Sequence, residues 1–327
     1  MKIIFNLLNC GLGNNGGSHT IVRSANTLAK LGNEVTIIDN TKIGYNWTPI
    51  KCDYLSIKRE NQIPDADFII ATGYKTVKST LNIPQRCGKK IHWIRGWETW
   101  KMDENVIIKN ILNVPTIKVV NSIGLQNYIE KFNIRSFVIR PGYDFNEQYP
   151  MNLRKNNNEI VLGGLYHTKH KTKRSDWILK IQSEFKDKYK TKLYMYGTDK
   201  MTDSVIDRYV KTPSIEEKNE IYNSINVWLA PTCLEGLHIP PAEAMLTECC
   251  VVGINAELSG TKDYLIHNHS GVVSENNFES FRRSVEKIII NSKKRFELGK
   301  KGREEIISLG SREYNMKKFV KLLEELK

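Results

Sequence analysis

Two glutamates stand seven residues apart in Thr232-Cys233-Leu234-Glu235-Gly236-Leu237-His238-Ile239-Pro240-Pro241-Ala242-Glu243-Ala244-Met245. The apolar run Val227 to Pro231 before them reads as a buried parallel strand. A helical segment, Pro241 to Thr247, and a second apolar run, Cys249 to Ile254, follow. The loop therefore lies at a strand's carboxyl end, where open α/β sheets bind ligands. Proline in a first helical turn suits a helix start, because its missing N–H would be unpaired anyway. The free N–H groups of that turn, around His238 and Ile239, and the positive end of the helix dipole make an anion site. Carboxylates accept the paired hydroxyls of a vicinal diol. A phosphate site flanked by the acids Glu235 and Glu243 is what a nucleotide sugar needs. The plainer reading makes Glu235 a solvated loop acid and Glu243 a first-turn acid favoured by the dipole.

A second cluster lies upstream. Glu159-Ile160-Val161-Leu162-Gly163 reads as a strand, Gly164 to Arg174 as a basic loop, and Ser175 to Phe185 as a helix. Lys169, Lys171, Lys173 and Arg174 thus gather where a strand end meets a helix start, which suits a diphosphate. The plainer reading is a solvated charged face. Lys192 to Tyr196 is a further strand, and Gly197-Thr198 at its end falls near the expected nucleotide base.

The first half of the chain opens as a βαβ unit. Lys2 to Asn9 is strand-like, Ser18 is placed to cap a helix carrying Ile21, Val22, Ala25 and Leu28, and Glu34 to Asp39 is the second strand. Gly11-Leu12-Gly13-Asn14-Asn15-Gly16 between them has the spacing of the dinucleotide fingerprint, with Asp39 placed for a ribose. An NAD-dependent oxidoreductase is the rival this supports. Further on, Lys89 to Trp100 runs from a strand into a loop with Trp97 and Trp100, whose faces could stack on a sugar or a base. Strands are expected at Lys51 to Leu55, Asp67 to Ala71, Pro115 to Asn121 and Ser136 to Arg140. Pro141-Gly142-Tyr143-Asp144 and the polar stretch Asn152 to Asn158 mark a domain boundary. Later helices are expected over Ser214 to Ile225, with Ser214 and Glu217 forming a capping box, and over Phe278 to Ile290, Lys293 to Ser308 and Glu313 to Leu326.

Composition narrows the classes. The length of 327 residues favours two domains, here 1–145 and 146–311 with a terminal helix at 312–327. No apolar stretch is long enough to span a bilayer. The N-terminus reads as a strand, not a signal peptide. Six scattered cysteines without C-x-x-C spacing argue against a zinc site or a disulfide framework and fit a reducing cytoplasm. Of these, Cys10 and Cys233 fall at strand ends and could line a cleft. A net charge of +13 fits phosphorylated ligands or an anionic membrane surface better than nucleic acid, since no nucleic-acid motif is present.

Glu-Gly-Leu-x-x-Pro-Pro-x-Glu-Ala-Met resembles the E-x7-E motif of retaining glycosyltransferases of family 4, which have the GT-B fold. The resemblance implies two Rossmann-like doubly wound α/β domains facing across a cleft, with the terminal helix crossing back to the first. It implies retaining, metal-independent transfer of a sugar from a nucleotide-diphosphate sugar to a glycan or glycolipid acceptor, with no other cofactor and no metal. By that resemblance Glu235 holds the donor sugar, Lys173 the donor phosphates and Glu243 the ribose, with Arg174, Lys171 and Lys169 as alternatives to Lys173. Gly16 and Gly17 open the first helix close to donor and acceptor. A family histidine near the Lys89 strand end leaves His92, Arg95 and Glu98 as candidates. The chain departs from the family at His238, where glycine is usual, and at Gly164, where arginine is usual. A cytoplasmic enzyme, peripheral to the inner membrane face, is the expected setting. A sugar-nucleotide epimerase and a non-catalytic binding protein are further rivals.

Overall fold

The computed structural model describes residues 1–41, 44–99, 102–151 and 159–327. They form two units: Met1–Gly142 with Arg312–Lys327, and Tyr143–Ser311.

In the first unit, β1 (Lys2–Asn6), β2 (Glu34–Asp39), β3 (Asp53–Ser56), β4 (Phe68–Ala71), β5 (Lys89–Ile94), β6 (Ile117–Val120) and β7 (Phe137–Val138) form one parallel sheet. Its order is β3-β2-β1-β4-β5-β6-β7. Consecutive residues Ile3, Ile4 and Phe5 are all buried, as a strand covered on both faces requires. The helices are α1 (Gly16–Lys30), α2 (Tyr74–Asn82), the short α3 (Glu104–Ile107) and α4 (Ile123–Glu130).

Three boundaries differ from the sequence reading. The cap of α1 is Asn15, whose side chain accepts from Ser18 N–H at 2.9 Å, while Ser18 Oγ accepts from Gly13 N–H at 3.1 Å. Ser18 is thus inside the first turn, and Gly16-Gly17 begins the helix. The strand expected from Ser136 to Arg140 shrinks to β7 at the sheet edge, where it has a neighbour on one side. The polar stretch Asn152 to Asn158 lies outside the described residues; the division itself falls after Gly142.

In the second unit, β8 (Ile160–Tyr166), β9 (Thr191–Gly197), β10 (Arg208–Lys211), β11 (Val227–Ala230), β12 (Cys250–Ile254) and β13 (Val272–Ser274) form a parallel sheet. The order is β10-β9-β8-β11-β12-β13. Around it lie α5 (Ser175–Tyr189), α6 (Ile215–Ser224), α7 (Ile239–Leu246), α8 (Phe278–Ile289) and α9 (Ser292–Ser308). The Ser214–Glu217 capping box on α6 is present in both directions, at 3.1 and 2.8 Å. Here β8 runs three residues past the expected end at Gly163. A Cβ on Gly163 would meet Ile225 at 2.2 Å and one on Gly164 would meet Ile178 at 2.5 Å, so both glycines let side chains close on the strand. Gly164 therefore sits within the sheet and not in the loop.

The last helix, α10 (Arg312–Leu326), completes the first unit. Met316, Phe319 and Leu323 are fully buried with Phe5 and Trp93, and the rings of Trp93 and Phe319 lie 5.2 Å apart. Phe319→Ala should destabilise the first unit by ~3–5 kcal/mol. Urea unfolding followed by tryptophan fluorescence would show this as a lowered midpoint; an unchanged midpoint would mean α10 is dispensable to the core.

Candidate functional site

In the second sheet the chain runs from β8 to β9 and β10 on one side, and from β11 to β12 and β13 on the other. The switch point is therefore between β8 and β11, the place where doubly wound sheets take ligands. A 3-10 turn, Lys171–Lys173, follows β8, and the Pro231 to His238 loop follows β11. The two are tied by Cys233 N–H donating to Thr172 C=O at 3.0 Å. Across this tie the Lys173 ammonium is ion-paired with the Glu235 carboxylate. Burial pulls the Lys173 ammonium down to about 8.

A third loop backs the pair. Glu235 N–H donates to Leu258 C=O at 2.7 Å and His238 N–H to Gly260 C=O at 2.8 Å. Gly260 has φ +71°, and a Cβ there would stand 2.7 Å from both Glu235 Cβ and His238 N. Only glycine combines that backbone with that approach.

Helix α7 starts at Ile239 with His238 as its cap, two residues earlier than the sequence reading placed its first residue. Pro240 and Pro241 then occupy the next two helical positions, so Ile239 is the single N–H donor among the first three. The anion site expected at this helix start would have fewer backbone donors than a first turn usually offers. The His238 ring is buried, and among the described residues neither ring nitrogen has a hydrogen-bond partner. Burial first, and the nearby Lys173 second, hold its pKa well below the ordinary histidine value.

Glu243 is not a solvated acid: it is 8% exposed. Lys218 Nζ lies 2.9 Å from Oε1, and Tyr222 Oη donates to Oε2 at 2.8 Å. Tyr196 Oη and Tyr222 Oη are 2.6 Å apart, extending the network to β9. Sequence reasoning missed Lys218, Tyr222 and Tyr196. The first two lie on α6, an amphipathic helix whose register against α7 no local pattern discloses.

The other basic candidates are dispersed. Lys171 and Lys169 are exposed. Arg174 has φ +52°, and its guanidinium stacks 4.2 Å over the Trp177 ring and donates to Asn276 Oδ1 at 2.5 Å. Gly197 ends β9 so close to the sheet that a Cβ would stand 2.1 Å from Tyr166 C=O.

The first unit has its own switch point, between β1 and β4. Arg95, just after β5, spans it by donating to Gly17 C=O at the start of α1 at 2.5 Å and to Thr72 C=O after β4 at 2.5 and 3.2 Å. Gly16 and Gly17 are the first two residues of α1. Glu98 accepts from Tyr74 N–H at 2.7 Å at the start of α2, and burial raises its pKa. His92 lies inside β5, buried between Ala71 and Lys118, and burial takes its pKa down to about 3. Trp97 is no open platform: it is buried against Tyr128 and stacked on Phe132, with Nε1 donating to Glu104 at 2.9 Å. Trp100 lies outside the described residues. Cys10 is exposed and Cys233 half-buried.

The geometry also weakens the dinucleotide reading. Asp39 is fully buried, and its carboxylate accepts from Asn40 N–H, Thr41 N–H, Thr41 Oγ1 and Tyr54 Oη at 2.7 to 3.0 Å. A Cβ on Gly11 would stand 2.2 Å from Thr41 Oγ1. The fingerprint glycine and acid are thus spent on holding the strand-end loops together.

Residues 158–291 match the family model described as glycosyl transferases, group 1. No curated protein matches the sequence significantly. Among solved structures, sucrose-phosphate synthase from Thermosynechococcus elongatus aligns over 100% of this chain and 99% of its own, with TM-score 0.79 and 15% identity. HepE from Anabaena, in complex with UDP and glucose, aligns over 99% and 100%, with TM-score 0.80 and 12% identity. A glycosyltransferase from Rickettsia africae aligns over 99% and 98%, with TM-score 0.74 and 13% identity. The fold is therefore GT-B, and residues 158–291 of the second unit are similar to a group 1 glycosyl transferase domain.

Two expectations follow. Glu243→Ala leaves Lys218 and Tyr222 without their acceptor and should cost ~1–3 kcal/mol in thermal or urea unfolding, with Glu243→Gln costing less. For His92, the folded pKa is depressed below the ordinary 6.5, so the unfolded chain takes up the proton first. Stability from this group is complete above that value and falls as pH drops below it; the decline in melting temperature should be shallower in His92→Gln.

Proposed function

We propose that this chain is a retaining glycosyltransferase that moves a sugar from a nucleotide-diphosphate sugar to the hydroxyl of a glycan or glycolipid acceptor, without a metal ion. The observation that carries the reading is the Lys173–Glu235 pair at the β8/β11 switch point, inside the segment matched by the glycosyl transferases group 1 model. As the bond from sugar to diphosphate breaks, negative charge grows on the leaving phosphate. The Lys173 ammonium and the Ile239 N–H stand where such charge is stabilised by fixed donors. A bound diphosphate displaces Glu235 from Lys173 and frees its carboxylate to accept from sugar hydroxyls. Glu243, held by Lys218 and Tyr222, takes the ribose hydroxyls. His238 offers a neutral imidazole to the donor. In the first unit, the start of α1 at Gly16–Gly17 and the Arg95–Glu98 turn take the acceptor, with Arg95 acting where His92 is enclosed in its strand.

UDP is the first nucleotide to try, because HepE was solved with UDP and glucose. A thermal-shift panel of UDP, GDP, dTDP and NAD should show stabilisation by one nucleoside diphosphate, lost in Glu243→Ala. Stabilisation by NAD alone, unchanged in that variant, would overturn the reading. With the matching sugar nucleotide and acceptor, NMR should show product with the donor's anomeric configuration, and Lys173→Ala should lower kcat about 10²–10³-fold. Because protonated Lys173 is the binding form, nucleotide affinity should weaken as pH rises through about 8. Lys173→Arg, which keeps its charge, should abolish that step.

A further inference from the structure

The His238 side chain is held in a fixed place and left without a partner. Its backbone is clamped from both sides: the N–H donates to Gly260 C=O at 2.8 Å, and the C=O accepts from Tyr264 Oη at 2.5 Å. Tyr264 is itself fully buried, which makes the clamp rigid. The histidine is 3% exposed, yet among the described residues neither Nδ1 nor Nε2 has a hydrogen-bond partner. Buried polar groups are nearly always paired, because leaving one unpaired costs at least as much as a hydrogen bond contributes. An exception calls for a reason in the site around it.

The ring grows from the middle of the candidate site. A Cβ on Gly260 would stand 2.7 Å from Glu235 Cβ and 3.0 Å from His238 Cβ, so the two side chains leave the backbone around one point. Lys173, the partner of Glu235, is near enough to bear on the charge of the imidazole. Burial and that ammonium keep the ring neutral.

A neutral imidazole carries one N–H and one bare nitrogen. Both are satisfied only by a ligand that offers an acceptor and a donor. The oxygens of an ionised diphosphate accept and do not donate, whereas a sugar hydroxyl does both. We propose that the bare nitrogen of His238 accepts a hydrogen bond from one hydroxyl of the donor sugar, while its N–H donates to a neighbouring oxygen of the same donor. His238 is then a specificity-determining residue. It admits sugars that carry this hydroxyl and rejects those that lack it, because a deoxy sugar leaves the imidazole buried and unpaired. This assignment rests on the transferase reading above and adds a second sugar contact beside Glu235.

Calorimetric titration of the full chain tests it, with UDP, UDP-glucose and UDP-N-acetylglucosamine, or the GDP or dTDP equivalents if the thermal-shift panel selects that base. Monodeoxy forms of the tighter sugar nucleotide follow. His238→Phe keeps a ring and removes both nitrogens; His238→Gln keeps a donor and an acceptor. The sugar nucleotide should lose about tenfold more affinity in His238→Phe than the nucleoside diphosphate loses, and His238→Gln should recover part of it. One monodeoxy analogue should bind the wild type about tenfold more weakly than its parent, and that penalty should vanish in His238→Phe, which identifies the hydroxyl. Because the free protein holds the imidazole unpaired, His238→Phe should unfold at the same urea concentration as the wild type or a higher one. If that variant does not fold, His238→Leu carries the same comparison. A wild type that binds no nucleotide sugar overturns the transferase reading and this assignment with it. A wild type that binds one, with equal losses for nucleotide and sugar nucleotide or with every deoxy penalty unchanged in the variant, overturns the role of His238 alone.

Discussion

Parallel strands cannot be joined by tight turns, and that constraint organises this molecule. Each strand must be followed by a crossover, and the right-handed crossover returns the chain to the same starting edge. Every loop leaving a carboxyl end therefore collects on one edge of its sheet. In the second unit this puts the loops after β8 and β11 side by side, although sixty-odd residues separate them in the chain. Both sheet faces are covered, so strand residues such as Ile3–Phe5 and Val227–Ala230 are spent on the core. Chemistry is left to the loop edge.

Charges at that edge are kept by pairing. A half-buried ammonium or carboxylate without a partner is costly, and breaking one member of a pair strands the other. Lys173 answers Glu235, and Lys218 answers Glu243. Arg95 is satisfied differently, by the carbonyls of Gly17 and Thr72, so its hydrogen bonds join two loops through backbone oxygens. The paired cations can exchange their partner for a ligand anion. Arg95 cannot do so fully without loosening the start of α1.

Much of this was legible from the residues because it is local. Apolar runs marked the buried strands, the Ser214–Glu217 box marked α6, and the Glu235–Glu243 segment pointed to a strand-end loop before a helix. What was misread depended on competition between neighbours. Asn15 outcompetes Ser18 as a cap by three residues, and β8 overruns Gly163 because Ile178 and Ile225 need the space its glycines leave. What was missed depended on register between distant elements. Lys218 and Tyr222 reach Glu243 only because α6 packs on α7, and Asp39 turns away from any ribose because Tyr54 and Thr41 reach it first.

The path of the chain bears on how the molecule is assembled. The first unit's core is incomplete until α10 adds Phe319 to Trp93, yet all of Tyr143–Ser311 intervenes. Bringing such distant segments together in an open coil carries a closure entropy that grows with the logarithm of the loop. The second unit removes that span by folding: Tyr143 and Ser311, its first and last residues, pair as a parallel bridge. Once it has formed, Gly142 and Arg312 are neighbours, and α10 meets the first sheet as though joined to it by a short turn, with Arg312 donating to Pro141 C=O at 3.2 Å. The inserted unit thus serves as a clasp on the chain, holding the two ends of the first unit's interrupted segment side by side.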